Sequence, residues 1–432
     1  MKKVCLLLLM LLTLAACGGR VDEAYANGEN GFEEAPYEYE TIDPIQRLIA
    51  EDKEDLAHFT RIFESVFARF GSIYRQLGID VLEIIEPTVH PVLERRHAIG
   101  QHSLEAGMND LGRRLQGSGH IATFDEFSYR FALTNLYRQR AEYGPGFVPS
   151  LLWQYRYDIY RSEAAMRRFG DIEIDLNYFG DSGAASSIRT EIIEEGRIAR
   201  VLINWLNTRN IESDRQIALE FFHEIRDFEH LIIDIQGSPG GDPHYFVEVI
   251  MQPLIAQPKQ GEFYAFVRSS PYSAALVAGF VEYEGLQSAI PAAEFVQSRD
   301  MPYFVMEDLA ELDYVIPRQI NIQPAADSAN FSGQVWLLTD GRTISGAATA
   351  AKIAKYTDFA TLVGSTTRGT FSQMMAQVVV PNSGSIIQFD MSYITNAAGR
   401  HLQELGVEPH YNNRIRMTAM QTVVDMISER VE

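Results

Sequence analysis

Two short apolar runs, each followed by a glycine-containing turn and a helical pattern, constrain the fold of this chain most strongly. The first is "HLIIDIQ" (230–236), which precedes the turn "GSPGGDP"; the second is "QVWLLTD" (334–340), which continues through Gly341 into a helix. Continuous apolar runs of this length are typical of strands buried on both faces. Strands that alternate with helices predict a mostly parallel sheet. We therefore predict an α/β fold for the region that contains them.

Further elements of the same kind surround these two runs. We predict a strand in "RIARVLINWL" (197–206), a helix capped by Ser213 in residues 213–228, a helix in "HYFVEVIMQPLI" and a strand in "ATLVG". Together these elements extend the predicted α/β core over residues 191–432.

The region before this core has a helical pattern. Apolar residues recur every three or four positions in "DLAHFTRIFESVFARFGSIYRQLGI" and in the stretch that follows it, where we expect breaks at the prolines. We predict an all-helical N-terminal domain over residues 44–123. Residues 124–190 form a connecting or inserted region of uncertain fold, in which "FSYRFALTNLYRQRAEY" is typical of a helix and "GDIEIDLNYFG" of a strand.

The N-terminus has the pattern of a secretory signal. Two lysines precede an apolar run that is too short to span a bilayer and that ends in "LAAC". This ending resembles a bacterial lipobox, so residues 1–17 are predicted to be a lipoprotein signal peptide with Cys17 as the lipidated residue. The alternative is a signal peptide cleaved elsewhere, with an incidental cysteine. Residues 18–43 are acidic and rich in glycine, which predicts a flexible tether. We expect a lipid-anchored, outward-facing protein of the cell envelope, on the periplasmic side of a bacterial membrane or at the cell surface.

The charge of the chain excludes one class of partner. With 37 Lys and Arg residues against 58 Asp and Glu residues, the formal net charge is −21, and no cluster of basic residues provides a footprint for nucleic acid. The common motifs of zinc, phosphate-loop and dinucleotide sites do not occur in the sequence. We therefore expect no nucleic-acid partner, no cofactor and no metal.

Ser345 lies where the second apolar run becomes a helix, in "LTDGRTISGAATAAKIAKY" (338–356). Serine is a preferred helix N-cap and alanine a good helix former, so a purely structural interpretation is available. Alternatively, the strand-to-helix turn exposes a nucleophilic hydroxyl, with the N–H of Gly346 at the positive end of the helix. The small residues that follow would then let a substrate backbone approach.

The turn "GSPGGDP" after the first apolar run also has two interpretations. It could be only a tight turn between a strand and a helix. It could instead direct the backbone N–H groups of Gly240 and Gly241 towards an anion, as an oxyanion hole requires.

These segments, in this order and followed by "LVGSTTRGT" and "NAAGRHLQELGVEP", resemble the motifs of the S41 serine peptidase family, over roughly residues 185–412. This family includes the C-terminal processing (tail-specific) proteases and the tricorn core peptidases. The resemblance implies a crotonase-like ββα core with Ser345 as the nucleophile. It also implies that three glycines lie near the oxyanion hole: Gly240, Gly241 and Gly346.

The sequence departs from the family pattern at several positions. Gln236 stands where the family usually has arginine, Ser238 where it has asparagine, and Thr349 where it often has glutamate. Thr370 occupies the position of the lysine base of the Ser/Lys branch, and threonine cannot act as that base.

The tricorn-like branch of the family takes a histidine base from its N-terminal part. The segment "LQGSGHIATF" stands at the corresponding place, so His120 is the predicted base; His244, beside the glycine turn, is the competitor. An imidazole base needs a partner that orients it. Strict alignment places Gln403 at the position of that partner, and a shift of one residue places Glu404 there. We expect activity to depend on a group that titrates near 6.5.

The resemblance predicts a membrane-anchored serine peptidase of the Ser/His type, which hydrolyses peptide bonds by acyl transfer through Ser345. Its partners would be a peptide or protein substrate and, through Cys17, a membrane. The alternative is a catalytically inactive binding or scaffolding lipoprotein with the same fold. We further expect that Gly241→Val abolishes turnover with little loss of fold.

Overall fold

In the computed structural model, the described residues are 43–97, 104–144, 148–174, 176, 185–368, 374–402 and 406–429. By their contacts, Pro44–Glu432 form one compact unit. Cys17 and the tether predicted for residues 18–43 lie outside the described residues, except for Asp43.

Helices account for most of the N-terminal third of the described chain and recur between the strands that follow. In chain order, the α-helices are α1 (Pro44–Val66), α2 (Phe70–Leu77), α3 (Val81–His97), α4 (Leu104–Arg114), α5 (Glu126–Tyr143), α6 (Leu151–Tyr160), α7 (Glu163–Phe169), α8 (Ile211–Glu224), α9 (Pro243–Tyr245), α10 (Gln252–Leu254), α11 (Ala274–Tyr283), α12 (Ala292–Gln297), α13 (Ser345–Tyr356) and α14 (Ala419–Glu429). A π-helical segment joins α9 to α10, and 3₁₀ turns occur at Ser118–His120, Thr208–Asn210 and Met306–Glu311.

The strands form three sheets. In chain order they are β1 (Ala122–Thr123), β2 (Ile188–Glu194), β3 (Ile198–Ile203), β4 (His230–Asp234), β5 (Lys259–Val267), β6 (Ile290–Pro291), β7 (Tyr314–Ile322), β8 (Gln334–Thr339), β9 (Thr361–Gly364), β10 (Met375–Val379), β11 (Ile386–Asp390), β12 (Ser392–Asn396) and β13 (Tyr411–Asn412).

The largest sheet has six strands in the order β13-β9-β8-β4-β3-β2. All neighbouring pairs are parallel except β2 and β3, which are antiparallel. Its central strands are apolar on both faces because helices cover both sides. The predicted parallel strands of the α/β core are therefore confirmed.

Two antiparallel sheets, in the orders β12-β5-β7-β6 and β1-β11-β10, were not predicted. β7 contains Pro317, a residue that normally argues against a strand. Here Pro317 pairs with Tyr264 of β5, and its other side is an edge because the short β6 pairs only with Tyr314 and Val315. The missing N–H of the proline therefore costs no sheet hydrogen bond on that side.

Helices α1–α4 confirm the helical pattern of the N-terminal region. Phe63 of α1 stacks on Phe67 with ring centroids 4.4 Å apart and meets the ring of Phe389 in β11 at 5.0 Å. The helices thus share a hydrophobic core with an antiparallel strand. The fold class, α/β with a helical region ahead of the main sheet, is confirmed.

The predicted breaks at prolines are wrong for α3, since Pro87 and Pro91 lie inside that helix. A proline in a helix interior loses a hydrogen bond and strains the helix. In α3 the burial of Ile85, Val89 and Leu93, each fully buried, outweighs this cost.

Two other local predictions are wrong. Helix α8 begins at Ile211 after Asn210, and the hydroxyl of Ser213 donates to the carbonyl of Asn210 instead of capping the helix. In "GDIEIDLNYFG", the described residues form no strand. Ile172 and Ile174 pack against the side chains of α5–α7, so their alternation reflects burial against helices and not strand pairing.

None of the helices in the described part of the chain is both long enough and apolar enough to cross a lipid bilayer.

Candidate active site

Ser345 is the first residue of α13 and has a left-handed backbone, with φ of 51°. The residue before it, Ile344, is extended, so the chain turns sharply between β8 and the helix. A left-handed conformation is uncommon for a residue other than glycine and stores strain. Ser345 is exposed, and no side chain in the described part of the chain caps the start of α13. The N-cap interpretation of Ser345 is therefore wrong.

Asp340 holds the turn that carries Ser345. Its carboxylate accepts hydrogen bonds from the N–H groups of Gly237, at 3.0 Å, and Arg342, at 2.9 Å. Burial raises the pKa of Asp340, but these hydrogen bonds and the guanidinium of Arg342 outweigh burial and keep the pKa below its usual value. Asp340 was not among the residues predicted from the sequence. An aspartate directly after a buried strand, at the carboxyl edge of a sheet, is the signal that could have identified it.

The turns after β4 and β8 are joined by two further hydrogen bonds. The N–H of Ile344 donates to the carbonyl of Ser238 at 3.2 Å, and the hydroxyl of Thr343 donates to the carbonyl of Ile235 at 3.2 Å. Ser238, Thr343 and Ile235 are all buried. The glycine turn and the turn before Ser345 therefore form one rigid unit.

The glycine turn is fixed on its other side by Leu206. The N–H of Leu206 donates to Gly240 O at 2.8 Å, and the N–H of Asp242 donates to Leu206 O at 3.0 Å. In such a parallel bridge the intervening residue, Gly241, directs its own N–H away from Leu206. Gly240 and Gly241 have φ of 105° and 110°, a region that L side chains rarely adopt.

The three glycines of the predicted oxyanion hole lie against Ser345. A Cβ added to Gly240 would lie 2.8 Å from both Ser345 Cβ and Gly346 N, and one added to Gly346 would overlap the carbonyl oxygen of Gly241. Only glycine fits this approach of two backbones. A Cβ on Gly241 would overlap the carbonyl oxygen of Leu206. The expectation that Gly241→Val leaves the fold intact is therefore wrong.

This arrangement can stabilise negative charge next to the Ser345 hydroxyl. Gly346 lies in the first turn of a 12-residue helix, where backbone N–H groups have no intrahelical acceptor and the helix dipole is positive. The N–H of Gly241 faces the same side because its neighbours bind Leu206. Two such donors beside a nucleophile are what an oxyanion hole provides.

His120 lies in the 3₁₀ turn that precedes β1 and has φ of 50°. Burial, and next to it the positive charge of Arg69, lowers the pKa of His120 from 6.5 to about 4. Its Nδ1 atom is buried and has no hydrogen-bond partner among the described residues. The expectation of a group that titrates near 6.5 therefore does not hold for His120. Within the described ranges, no hydrogen bond joins His120 to Ser345.

His244, the competing candidate, is exposed on α9 next to the glycine turn. Its backbone N–H donates to the Asp242 carboxylate at 2.9 Å. Gln403, Glu404 and Thr370 lie outside the described residues.

The segments that flank these undescribed positions are bound to each other and to the Ser345 turn. Val407 and Thr367 exchange two hydrogen bonds, of 3.1 and 2.9 Å. The N–H of Arg368 donates to the carbonyl of Thr343 at 3.1 Å. The third motif and the closing segment of the resemblance thus meet at the turn that carries Ser345.

Lys352 is a buried amine on the same helix as Ser345. Its Nζ lies 4.3 Å from the ring centroid of Phe263, and burial lowers its pKa well below 10.5. Seven residues of α-helix separate the two Cα atoms by about 10 Å along the axis. The Lys352 Nζ lies over the Phe263 ring, and within the described residues no hydrogen bond joins it to the Ser345 hydroxyl.

Residues 203–413 match the sequence profile of peptidase family S41. This region of the chain belongs to peptidase family S41. The matched range includes Ser345 and the three glycines but not His120. No curated protein sequence matches the chain.

The chain also matches solved structures at low sequence identity. Mature CPAF has a TM-score of 0.49 at 14% identity, over 89% of this chain and 96% of that chain. A lipoprotein from Streptococcus agalactiae has a TM-score of 0.43 at 9% identity, over 89% and 96%. The photosystem II D1 C-terminal processing protease has a TM-score of 0.34 at 13% identity, over 56% and 52%. At these identities and scores, the assignment to a peptidase family rests on the profile match and not on these structures.

Proposed function

We propose that this chain is a membrane-anchored serine peptidase that hydrolyses peptide bonds by acyl transfer through Ser345. The observation that carries the proposal is the left-handed, exposed Ser345 held against the Gly240–Gly241 turn. A strained serine at a strand-to-helix turn, next to free backbone donors, is the arrangement of a nucleophile elbow.

In the proposed mechanism the Ser345 hydroxyl oxygen attacks the carbonyl carbon of the scissile peptide bond and gives its proton to a base. The N–H groups of Gly241 and Gly346 stabilise the oxyanion that forms. The base then returns the proton to the amine as the C–N bond breaks, which leaves an ester on Ser345. Attack by water on this ester releases the second product and restores the serine.

His120 is the proposed base. With a pKa of about 4 its imidazole is neutral at pH 7, which is the form that accepts a proton. We propose Glu404 as the group that orients it, which requires a shift of one residue from the strict alignment; Gln403 is the alternative. His244 is the alternative base.

A fluorophosphonate probe tests the nucleophile directly, because it labels only activated serines. We expect the wild-type protein to label, Ser345→Ala to lose labelling, and His120→Ala to lose it as well. Ser428→Ala, which replaces an exposed serine on α14, is the matched control and should label normally. Labelling that survives His120→Ala but not His244→Ala would identify His244 as the base.

The second candidate function is an inactive binding or scaffolding lipoprotein. The absence of a hydrogen bond between Ser345 and His120 in the described ranges favours it. A wild-type protein that does not label, beside an active S41 peptidase that does, would support this candidate.

The lipid anchor is a separate proposal, based on the "LAAC" ending and Cys17. Two or three acyl chains on Cys17 would hold the protein stably on a membrane, since each buried methylene contributes about 0.8 kcal/mol. The intact mass of the mature protein should show acylated Cys17 as its first residue, and Cys17→Ala should lose membrane association. A mature chain with an unmodified first residue other than Cys17 would contradict the anchor.

A further inference from the structure

Trp205 is an exposed tryptophan at the end of β3. It is 49% exposed, whereas Trp153 and Trp336, the other two tryptophans of the sequence, are 7% and 0% exposed. Among the described residues, no aromatic ring or cation is stacked on its indole. Tryptophan offers the largest apolar face of any side chain, and it is enriched where proteins bind other molecules.

The backbone on both sides of Trp205 is fixed. The N–H of Asn204 donates to Ser187 O at 3.0 Å, and the N–H of Leu206 donates to Gly240 O at 2.8 Å. The Leu206 side chain is buried in the core below the sheet edge. The backbone that carries the indole is thus held in place, so binding of a ligand costs little for ordering the loop.

Trp205 lies at the same edge of the main sheet as Ser345. β3, β4 and β8 are parallel neighbours, so their carboxyl ends meet at one edge, where ligands of α/β sheets bind. Trp205 follows β3, the glycine turn follows β4, and Ser345 follows β8. Gly240 links the three turns, because its carbonyl accepts the hydrogen bond from Leu206 and a Cβ added to it would lie 2.8 Å from Ser345 Cβ.

We propose that Trp205 is a specificity-determining residue of this site, whose indole binds an aromatic or large aliphatic side chain of the peptide substrate. The proposal rests on the proposed peptidase function and adds a substrate class to it. The face of an indole is apolar, so it favours an apolar side chain over a charged one, which would lose its hydration there.

Binding can be tested without turnover in the Ser345→Ala protein. The probes are N-acetylated, C-amidated peptides Ala-Ala-X-Ala-Ala in which X is Phe, Leu, Ser or Lys. Quenching by acrylamide, which is neutral and is not repelled by the net charge of −21, should report mainly Trp205 because the other tryptophans are buried. We expect the Phe and Leu peptides to lower the quenching constant at least about twofold, and the Ser and Lys peptides to leave it unchanged.

Turnover gives a second readout in the otherwise wild-type protein. Trp205→Ala should lower kcat/KM for the Phe and Leu peptides at least about tenfold, but change it less than twofold for the Ser peptide. Trp205→Phe should restore most of the loss. Tyr74→Ala removes an exposed aromatic on α2 and is the matched control, with no expected change in preference.

The outcomes separate this inference from the proposed function. Two results of the quenching experiment overturn the inference. In one, all four peptides lower the acrylamide quenching constant equally; in the other, none of them lowers it in a protein that is folded by circular dichroism. A protein that labels with fluorophosphonate but whose preference is unchanged in Trp205→Ala overturns the inference alone. Protection by the Phe peptide in a protein whose wild type does not label supports the binding role of Trp205 and removes the proposed function.

Discussion

The low pKa of His120 predicts that this residue makes the protein less stable in mild acid. The pKa falls from 6.5 in the unfolded chain to about 4 in the folded protein, because burial and Arg69 disfavour the imidazolium. Between these two values the unfolded state binds a proton that the folded state excludes, so the free energy of unfolding decreases as the pH falls through this window. Linkage gives a loss of about 2 kcal/mol between pH 7 and pH 5, and about 3 kcal/mol by pH 4.

His120→Asn should remove this contribution. Asparagine is neutral throughout the range and tolerates the left-handed backbone that His120 adopts, with φ of 50°. Urea unfolding of both proteins, followed by circular dichroism at pH 7, 6 and 5, gives the two free energies of unfolding at each pH. We expect the stability of the wild type relative to His120→Asn to fall by about 2 kcal/mol from pH 7 to pH 5.

Both proteins contain the other groups that titrate in this range. The contributions of those groups to the free energy of unfolding therefore cancel in the difference between the two proteins. His244→Asn, which replaces an exposed histidine on α9, is the matched control for the substitution itself. A difference between wild type and His120→Asn that stays constant within about 0.5 kcal/mol from pH 7 to pH 5 would refute the buried, neutral imidazole. If His120 is also the catalytic base, the acid limb of kcat/KM should lie nearer 4 than 6.5.

Three further predictions concern the glycine turn, a buried hydrogen bond and the contact between α1 and β11. Gly240→Ala places a Cβ 2.8 Å from Ser345 Cβ at a φ of 105°, and should lower kcat/KM by about 100-fold or more. Gly341→Ala is the control, because its added Cβ would have no neighbour closer than 4.0 Å. Equal activity of the two variants would contradict the role of the glycine turn in catalysis. Tyr245→Phe removes the hydrogen bond of 2.6 Å to the buried Asp214 carboxylate. Urea unfolding should show a free energy of unfolding that is lower by about 1–3 kcal/mol. A decrease below about 0.5 kcal/mol would contradict a stabilising role of this hydrogen bond. Phe63→Ala removes the aromatic contact between α1 and β11 and should lower the free energy of unfolding by about 3–5 kcal/mol. A much smaller decrease would contradict a core that the helices share with this strand.

The sequence predicts local features of this site well and features that depend on distant residues poorly. The strands before the glycine turn and before Ser345, and the helix that Ser345 begins, follow from short apolar runs and small residues next to one another in the chain. The pairing of β5 with β12 joins Val267 to Ser392 and leaves no mark of its own in either segment. The pKa of His120 depends on burial and on Arg69, which lies about 50 positions away in the sequence, so no local pattern could indicate it.

The turn that carries His120 continues into β1, and β1 is completed only by a partner from the far end of the chain. Ala122 pairs with Gln388, and Thr123 pairs with Ile387. A nascent chain must therefore be synthesised through residues 387 and 388 before this turn can take its final position. Contacts between residues so distant in sequence form slowly. A partly synthesised or truncated chain that already includes Ser345 but lacks β11 would carry the proposed nucleophile without the fixed turn of the proposed base. Hydrolysis would thus be withheld until β11 has been synthesised.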